Sequence, residues 1–88
     1  MIIEYHPSFK KSYRKRIAKN KRLVVKIEER LDLFIRNPYH PILKNYVLHG
    51  KKTDFRAFWV TGDIRIVYLS ITPDRVLLLD IGSHTQVY

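Results

Sequence analysis

The sequence predicts an α+β domain in which two N-terminal helices pack on one face of a small antiparallel sheet, in the order β-α-α-β-β-β. Three observations lead there. Between Asp54 and Ile81, three runs rich in aromatic and β-branched residues follow one another, separated by the turn signals Thr61-Gly62-Asp63 and Pro73-Asp74. Upstream, apolar residues recur at helical spacing in two segments. Between the two halves, Asn37 to Lys44 carries two prolines and reads as an ordered connection. The length, 88 residues, suits one domain spanning 1–88, with a core large enough to fold and little to spare.

Met1 to His6 alternates Ile2, Glu4 and His6 with Ile3 and Tyr5, the pattern of a short strand that pairs with the later sheet, and Pro7-Ser8 ends it. From Ser8 to about Lys19, Phe9, Tyr13 and Ile17 recur every fourth residue. This spacing gives a helix a narrow apolar stripe, with Lys10, Lys11, Arg14, Lys15 and Arg16 around the rest. A second helix, from about Lys21 to Ile35, buries Leu23, Val24, Ile27, Leu31 and Phe34. It stops before Asn37-Pro38, because a residue preceding proline is pushed out of helical backbone. Tyr46 to Gly50 leads to the first strand of the meander, with Lys51-Lys52 at its entrance. Asp54–Val60, Ile64–Leu69 and Arg75–Ile81 are its strands, and a short polar tail follows.

The register of the meander decides which side chains can cooperate. A two-residue loop at Thr61-Gly62 sets Phe58 against Arg65 and Arg56 against Val67, so that Arg56 and Arg65 share one face. A loop of Ile71 to Asp74 sets Val67 against Leu78 and Arg65 against Asp80, a cross-strand ion pair on that same face. The other face then collects Phe55, Ala57, Trp59, Ile64, Ile66, Tyr68, Leu77, Leu79 and Ile81, and the helices must cover it. One more residue in either loop swaps the faces of a strand relative to its neighbour.

The charge is lopsided: 17 Lys and Arg against 8 Asp and Glu give a formal +9 and a pI near 10.0. Such a field favours polyanions, either nucleic acid or an acidic protein. Lys10, Lys11, Arg14 and Lys15 then form a phosphate-tracking face on the first helix, with a merely solvated face as the plainer alternative. The absence of cysteine removes disulfides and thiolate metal sites, and it is compatible with a reducing compartment. No run is long and apolar enough for a membrane span. A soluble cytoplasmic protein without membrane partners is expected. His6, His40 and His49 share no ligand spacing, so neither a metal nor another cofactor is expected.

The run Leu48-His49-Gly50, then Phe55-Arg56, then Gly62-Asp63-Ile64-Arg65-Ile66-Val67-Tyr68, then Leu77-Leu78-Leu79 and Gly82-Ser83-His84, closed by the aromatic Tyr88, resembles the RelE/YafQ group of bacterial toxin–antitoxin ribonucleases. The resemblance covers nearly the whole chain and is most specific in its second half. It implies a small toxin that enters the ribosomal A site, contacts rRNA, cleaves mRNA without a metal ion and is held inactive by a co-expressed, acidic antitoxin. His84 matches a C-terminal histidine that serves in that group as acid or base. Tyr88 falls where the motif ends in an aromatic and where RelE has a catalytic tyrosine. Asp63 matches an acidic site residue, and Arg65 resembles the strand arginine that contacts the reacting phosphate. The chain departs from the pattern at Tyr46 and Trp59, where YafQ-like enzymes carry two further histidines, and at Asp80, near a position that is arginine. These departures leave Lys51, Lys52, Arg56 and Arg65 as the RelE-like electrostatic part.

The residue types suit that chemistry on their own terms. RNA cleavage by an internal 2′-hydroxyl needs a base for its proton, cations for the crowded phosphorane and an acid for the leaving 5′-oxygen. An imidazole such as that of His84 exchanges protons near neutrality. Arg56 and Arg65 offer fixed charge from a sheet, Tyr88 offers a proton beside those cations, and Phe58 or Trp59 offers a ring for a splayed base. Plainer readings stand beside each of these. They make His84 an exposed tail residue, Asp63 a turn former and Trp59 a packing residue. At the level of the whole protein, the alternatives are a ParE-like toxin that poisons DNA gyrase without phosphodiester chemistry, or an inactive basic nucleic-acid-binding module.

Overall fold

His6 turns the chain from its first strand into its first helix, and the details show why the break falls there. A computed structural model of the chain describes residues 1–48 and 55–87. Strand β1, Ile2–Tyr5, ends at His6, which caps helix α1, Pro7–Arg16, through Nδ1 accepting from the Ser8 amide at 3.0 Å. Pro7 costs nothing at the first helical position, where an amide would lack a partner anyway. Ser8 Oγ donates to the Leu79 carbonyl at 2.6 Å and ties the helix start to the sheet. Basic residues 14–16 in the last turn suit the negative end of the helix. The helix stops three residues short of the expected Lys19, and Ile17 goes into the core from the turn that follows.

Helix α2, Lys21–Arg36, is capped by Asn20, whose Oδ1 accepts from the Leu23 amide. It ends at Asn37 before Pro38, as the proline requires. A 3-10 turn at Pro41–Leu43 and the left-handed Lys44, φ 47°, bring the chain to β2, Tyr46–Val47. The meander follows as β3, Phe55–Trp59, β4, Ile64–Thr72, and β5, Arg75–Ser83, with a helical turn α3, His84–Val87, at its end. The sheet order is β1-β5-β4-β3-β2, antiparallel except that β1 runs parallel to β5, so the sheet is mixed.

Both expected loop lengths are corrected, and the faces change with them. The first connection uses Thr61, Gly62 and Asp63 as a three-residue loop, closed by Thr61 Oγ1 accepting from the Asp63 and Ile64 amides at 3.2 and 3.0 Å. Trp59 therefore pairs with Arg65, Phe58 with Ile66 and Arg56 with Tyr68. The second connection is the two-residue Pro73-Asp74 turn, with Thr72 against Arg75. In β5 an extra residue at Leu79 shifts the register, so that Tyr68 pairs with Leu78 but Val67 with Asp80 and Arg65 with Gly82. Strict alternation after Val76 and Leu78 would drive the Asp80 carboxylate into the core. The bulge puts Ile81 there instead.

The core under the helices joins Phe9, Ile17, Ile27 and Phe34 to Phe58, Ile66, Tyr68, Val76, Leu78 and Ile81. Phe34 stacks on Phe58 at 4.4 Å between ring centroids and meets Tyr68 edge-on at 4.9 Å, a geometry worth about 0.5–1.5 kcal/mol per pair beyond area burial. The outer face has a smaller apolar cluster of Leu48, Ala57, Val67 and Val87, flanked by Tyr46, Phe55 and Leu79. The tail, expected to be a polar extension, instead folds back and buries Val87 there.

Candidate functional site

Continued across the outer face, the strand pairings bring the site together row by row. Tyr46, Ala57, Val67 and Asp80 lie side by side on β2 to β5. The next row holds Trp59, Arg65 and Gly82, with Lys44 beside Trp59 because it precedes Tyr46 by two residues. The ladder ends at Ile64 and Ser83, next to Asp63 on the loop and His84 at the start of α3. Both of these residues are exposed.

Arg65 is the centre of this arrangement and is only 6% exposed. Its Nη1 donates to the Thr61 carbonyl at 3.1 Å, and its Cζ lies 3.9 Å from the centroid of the Trp59 ring. Burial raises the Tyr46 hydroxyl above its ordinary 10.0, with the Arg65 charge and hydrogen bond opposing that rise. Lys44 Nζ lies 4.2 Å from the same Trp59 centroid, so the indole meets two cations. The Trp59 ring is thus engaged by protein groups rather than presented as a stacking platform.

Two expectations about shared faces are corrected here. Arg56 does not join Arg65. It pairs with Tyr68 on the helix side, where its Nε donates to Asn45 Oδ1 at 2.8 Å and its Cζ lies 5.4 Å from the Tyr39 ring centroid. Asn45 Nδ2 in turn donates to Tyr68 Oη at 2.7 Å and to the Pro38 carbonyl at 2.9 Å. Phe58 is fully buried against Phe34 and has no ring face for a base. Asp80 stands opposite Val67, not Arg65, and its carboxylate meets Arg16 Nη1 at 3.2 Å. Arg56→Ala is accordingly expected to lower stability by about 1–3 kcal/mol by leaving Asn45 Oδ1 without its donor. Denaturant titration beside a cleavage assay checks this: a loss of cleavage with unchanged stability would return Arg56 to the site.

The tail is placed by contacts the sequence spells out in part. Ser83 and Gln86 form a reciprocal cap: Gln86 Oε1 accepts from the Ser83 amide at 2.8 Å, and Ser83 Oγ accepts from the Gln86 amide at 3.3 Å. The Ser-x-x-Gln spacing that announces such a cap is visible in the sequence. A Cβ at Gly82 would lie 2.8 Å from both Arg16 Nη1 and Gln86 Oε1, so a side chain there would displace the ends of these two flexible side chains. Arg16 also donates to the Ile81 carbonyl at 2.9 Å. It therefore links the end of α1 to the strand that delivers His84. Among α1 residues, Lys10, Lys11, Arg14 and Lys15 are exposed. Lys51, Lys52 and Tyr88 lie outside the described residues. Among the described residues no group of three or more His, Asp or Glu side chains could hold a metal ion, and no helix is long and apolar enough to cross a membrane.

Comparison with known proteins agrees with this architecture. A copper-bound mutant toxin from Helicobacter pylori shares 26% identity over 100% of this chain and 99% of its own, with a TM-score of 0.74. YafQ from E. coli strain BL21(DE3) gives 0.79 at 21% identity, covering 98% of this chain and 96% of its own. YafQ in the E. coli DinJ–YafQ complex gives 0.79 at 22%, with the same two coverages of 98% and 96%. No curated protein matches the chain. The family model described as a bacterial toxin of type II toxin-antitoxin system, YafQ, matches residues 1–88. The chain belongs to the YafQ family of bacterial toxins of type II toxin-antitoxin systems.

Proposed function

We propose that this toxin is a ribosome-dependent mRNA endoribonuclease that acts in the cytoplasm and stops translation. The observation that supports this reading best is the meeting, on one outer sheet face, of the Arg65 cluster with the capped turn that presents His84. A protein that only binds its target needs no proton-exchanging side chain beside a fixed cation; in-line attack by a 2′-hydroxyl needs both. His84 exchanges a proton with the reacting oxygens, while Arg65 holds positive charge behind the phosphate. Its burial makes that charge cost little reorganisation during the reaction. In this reading Asp63, which follows the last paired residue of β4 into the loop, supplies the acidic group of the site. The exposed α1 residues Lys10, Lys11, Arg14 and Lys15 supply contacts to rRNA phosphates.

The formal charge of +9 suits an acidic antitoxin as the inhibitory partner, in the way YafQ is found with DinJ. The test is expression without that partner, followed by pulse labelling. Protein synthesis is expected to fall before DNA synthesis. The reverse order would assign the toxin to gyrase poisoning instead.

A further inference from the structure

Resting on that reading, we infer that Lys44 is a substrate-contacting residue, the solvent-facing half of a two-cation clamp that it forms with Arg65 at the Trp59 ring to hold an RNA phosphate. Among the described residues, Lys44 is the one non-glycine residue with a left-handed backbone, at φ 47° and ψ 45°. It closes the 3-10 turn Pro41–Leu43, its amide donating to the Pro41 carbonyl at 3.2 Å. Glycine adopts this conformation freely, whereas a residue with a β-carbon is strained in it. A lysine kept at such a position calls for a use of its side chain.

That side chain goes to the ring beside Arg65. Lys44 Nζ lies 4.2 Å from the Trp59 centroid, and the β3–β4 pairing sets Arg65 opposite Trp59 with its Cζ 3.9 Å from the same point. One indole therefore holds an ammonium and a guanidinium as neighbours.

Their charges are unbalanced. Two cations at one ring repel each other, and Arg65 is only 6% exposed, a burial at which charges are ordinarily paired. The ion pairs among the described residues are Arg16–Asp80, Arg36–Asp32 and Arg75–Glu4, so no described carboxylate neutralises either member of the clamp. An anion beside the ring would relieve both. Arg65 acts on it from within the sheet face, while Lys44 is exposed and meets it directly. An ammonium resting on an indole keeps N–H donors for a second partner. A phosphodiester suits the pair, because its single charge is spread over two non-bridging oxygens that can face both cations at once. The formal charge of +9 draws such a polyanion to the protein.

Trp59 is the only tryptophan of the chain, so its emission reports binding at this ring. In the experiment, the purified toxin is titrated at several salt concentrations with an mRNA oligonucleotide whose 2′-hydroxyls are replaced by hydrogen, which blocks cleavage. Lys44→Gly and Lys44→Asn remove the cation and suit the left-handed turn, and Lys44→Arg restores the charge. Both neutral variants are expected to bind several-fold more weakly and to lower the slope of log affinity against log salt by about 0.7, the loss of one phosphate contact on a single strand. Lys44→Arg should return the wild-type slope. An unchanged slope in a folded neutral variant would overturn the assignment, as would a wild type whose emission does not respond to the oligonucleotide. A deficit that Lys44→Arg fails to repair would overturn it too, leaving Lys44 as a turn residue. Cleavage of ordinary mRNA on programmed ribosomes is read separately. A wild type that cuts nothing there would defeat the nuclease reading, whereas the clamp stands or falls on the salt slope.

Discussion

Arg65→Ala is expected to lower the rate of mRNA cleavage by ~10²-fold or more while ribosome binding changes little, the usual size of a lost preorganised electrostatic contact. The separation follows from location. Arg65 is buried beneath the outer face, whereas the exposed cations of α1 that would meet rRNA phosphates belong to another element. The same substitution leaves the Thr61 carbonyl without its cationic donor and the Trp59 ring without one of its cations, at a cost of about 1–3 kcal/mol in stability. A second variant keeps the two effects apart. Arg65→Lys retains the charge, but a single ammonium cannot meet the Thr61 carbonyl and the Trp59 face together as the planar fork does. It should recover part of the stability and little of the rate. Wild-type cleavage by a folded Arg65→Ala protein would remove the outer face from consideration as the reaction site.

His84→Ala should act on the same chemical step, with a loss of about 10² to 10⁴-fold if the imidazole is the proton-exchanging group. The fold is expected to persist, because His84 is exposed and Ser83 and Gln86 cap the turn that carries it. The comparison that gives the result meaning is Tyr88→Phe. That variant keeps a terminal aromatic ring and removes only its hydroxyl, so under a histidine-led mechanism it should cost a few-fold at most. A severe loss from Tyr88→Phe together with a mild one from His84→Ala would transfer the leading role to the terminal tyrosine. Wild-type rates for both His84→Ala and Arg65→Ala would leave the outer sheet face as a binding surface for the antitoxin or another partner.

Local chemistry was enough for the elements. The fourfold spacing of Phe9, Tyr13 and Ile17, the richer stripe from Leu23 to Phe34, and the prolines at 7, 38 and 73 act over one or two turns of chain, and the structure places both helices and the meander where they indicate. The order of elements and the α+β class follow from those signals. His84, Asp63 and Arg65 came forward as candidates through the family resemblance, and the structure shows Arg65 buried beside Trp59 while His84 and Asp63 are exposed. The Ser83-x-x-Gln86 spacing of the tail cap is a local signal of the same kind.

Faces and partners were decided only in three dimensions. Side chains alternate with a period of two along a strand, so one additional residue in the Thr61–Asp63 loop exchanges the entire content of β3 between faces. That exchange separates Arg56 from Arg65, buries Phe58 and brings Trp59 out. Its cause is a threonine hydroxyl accepting two loop amides, a choice that composition does not distinguish from a tighter turn. The bulge at Leu79 has the same character, since it is favoured by what lies on each side of the sheet: apolar core for Ile81 and Arg16 for Asp80. Arg16 and Asp80 are 64 residues apart in the chain, and Lys44 reaches Trp59 across a strand pair. The sequence by itself therefore determined which segments are helix and strand and which residue types could do chemistry. Tertiary packing determined which of them meet, because contact between distant side chains depends on loop lengths and register that no local pattern encodes.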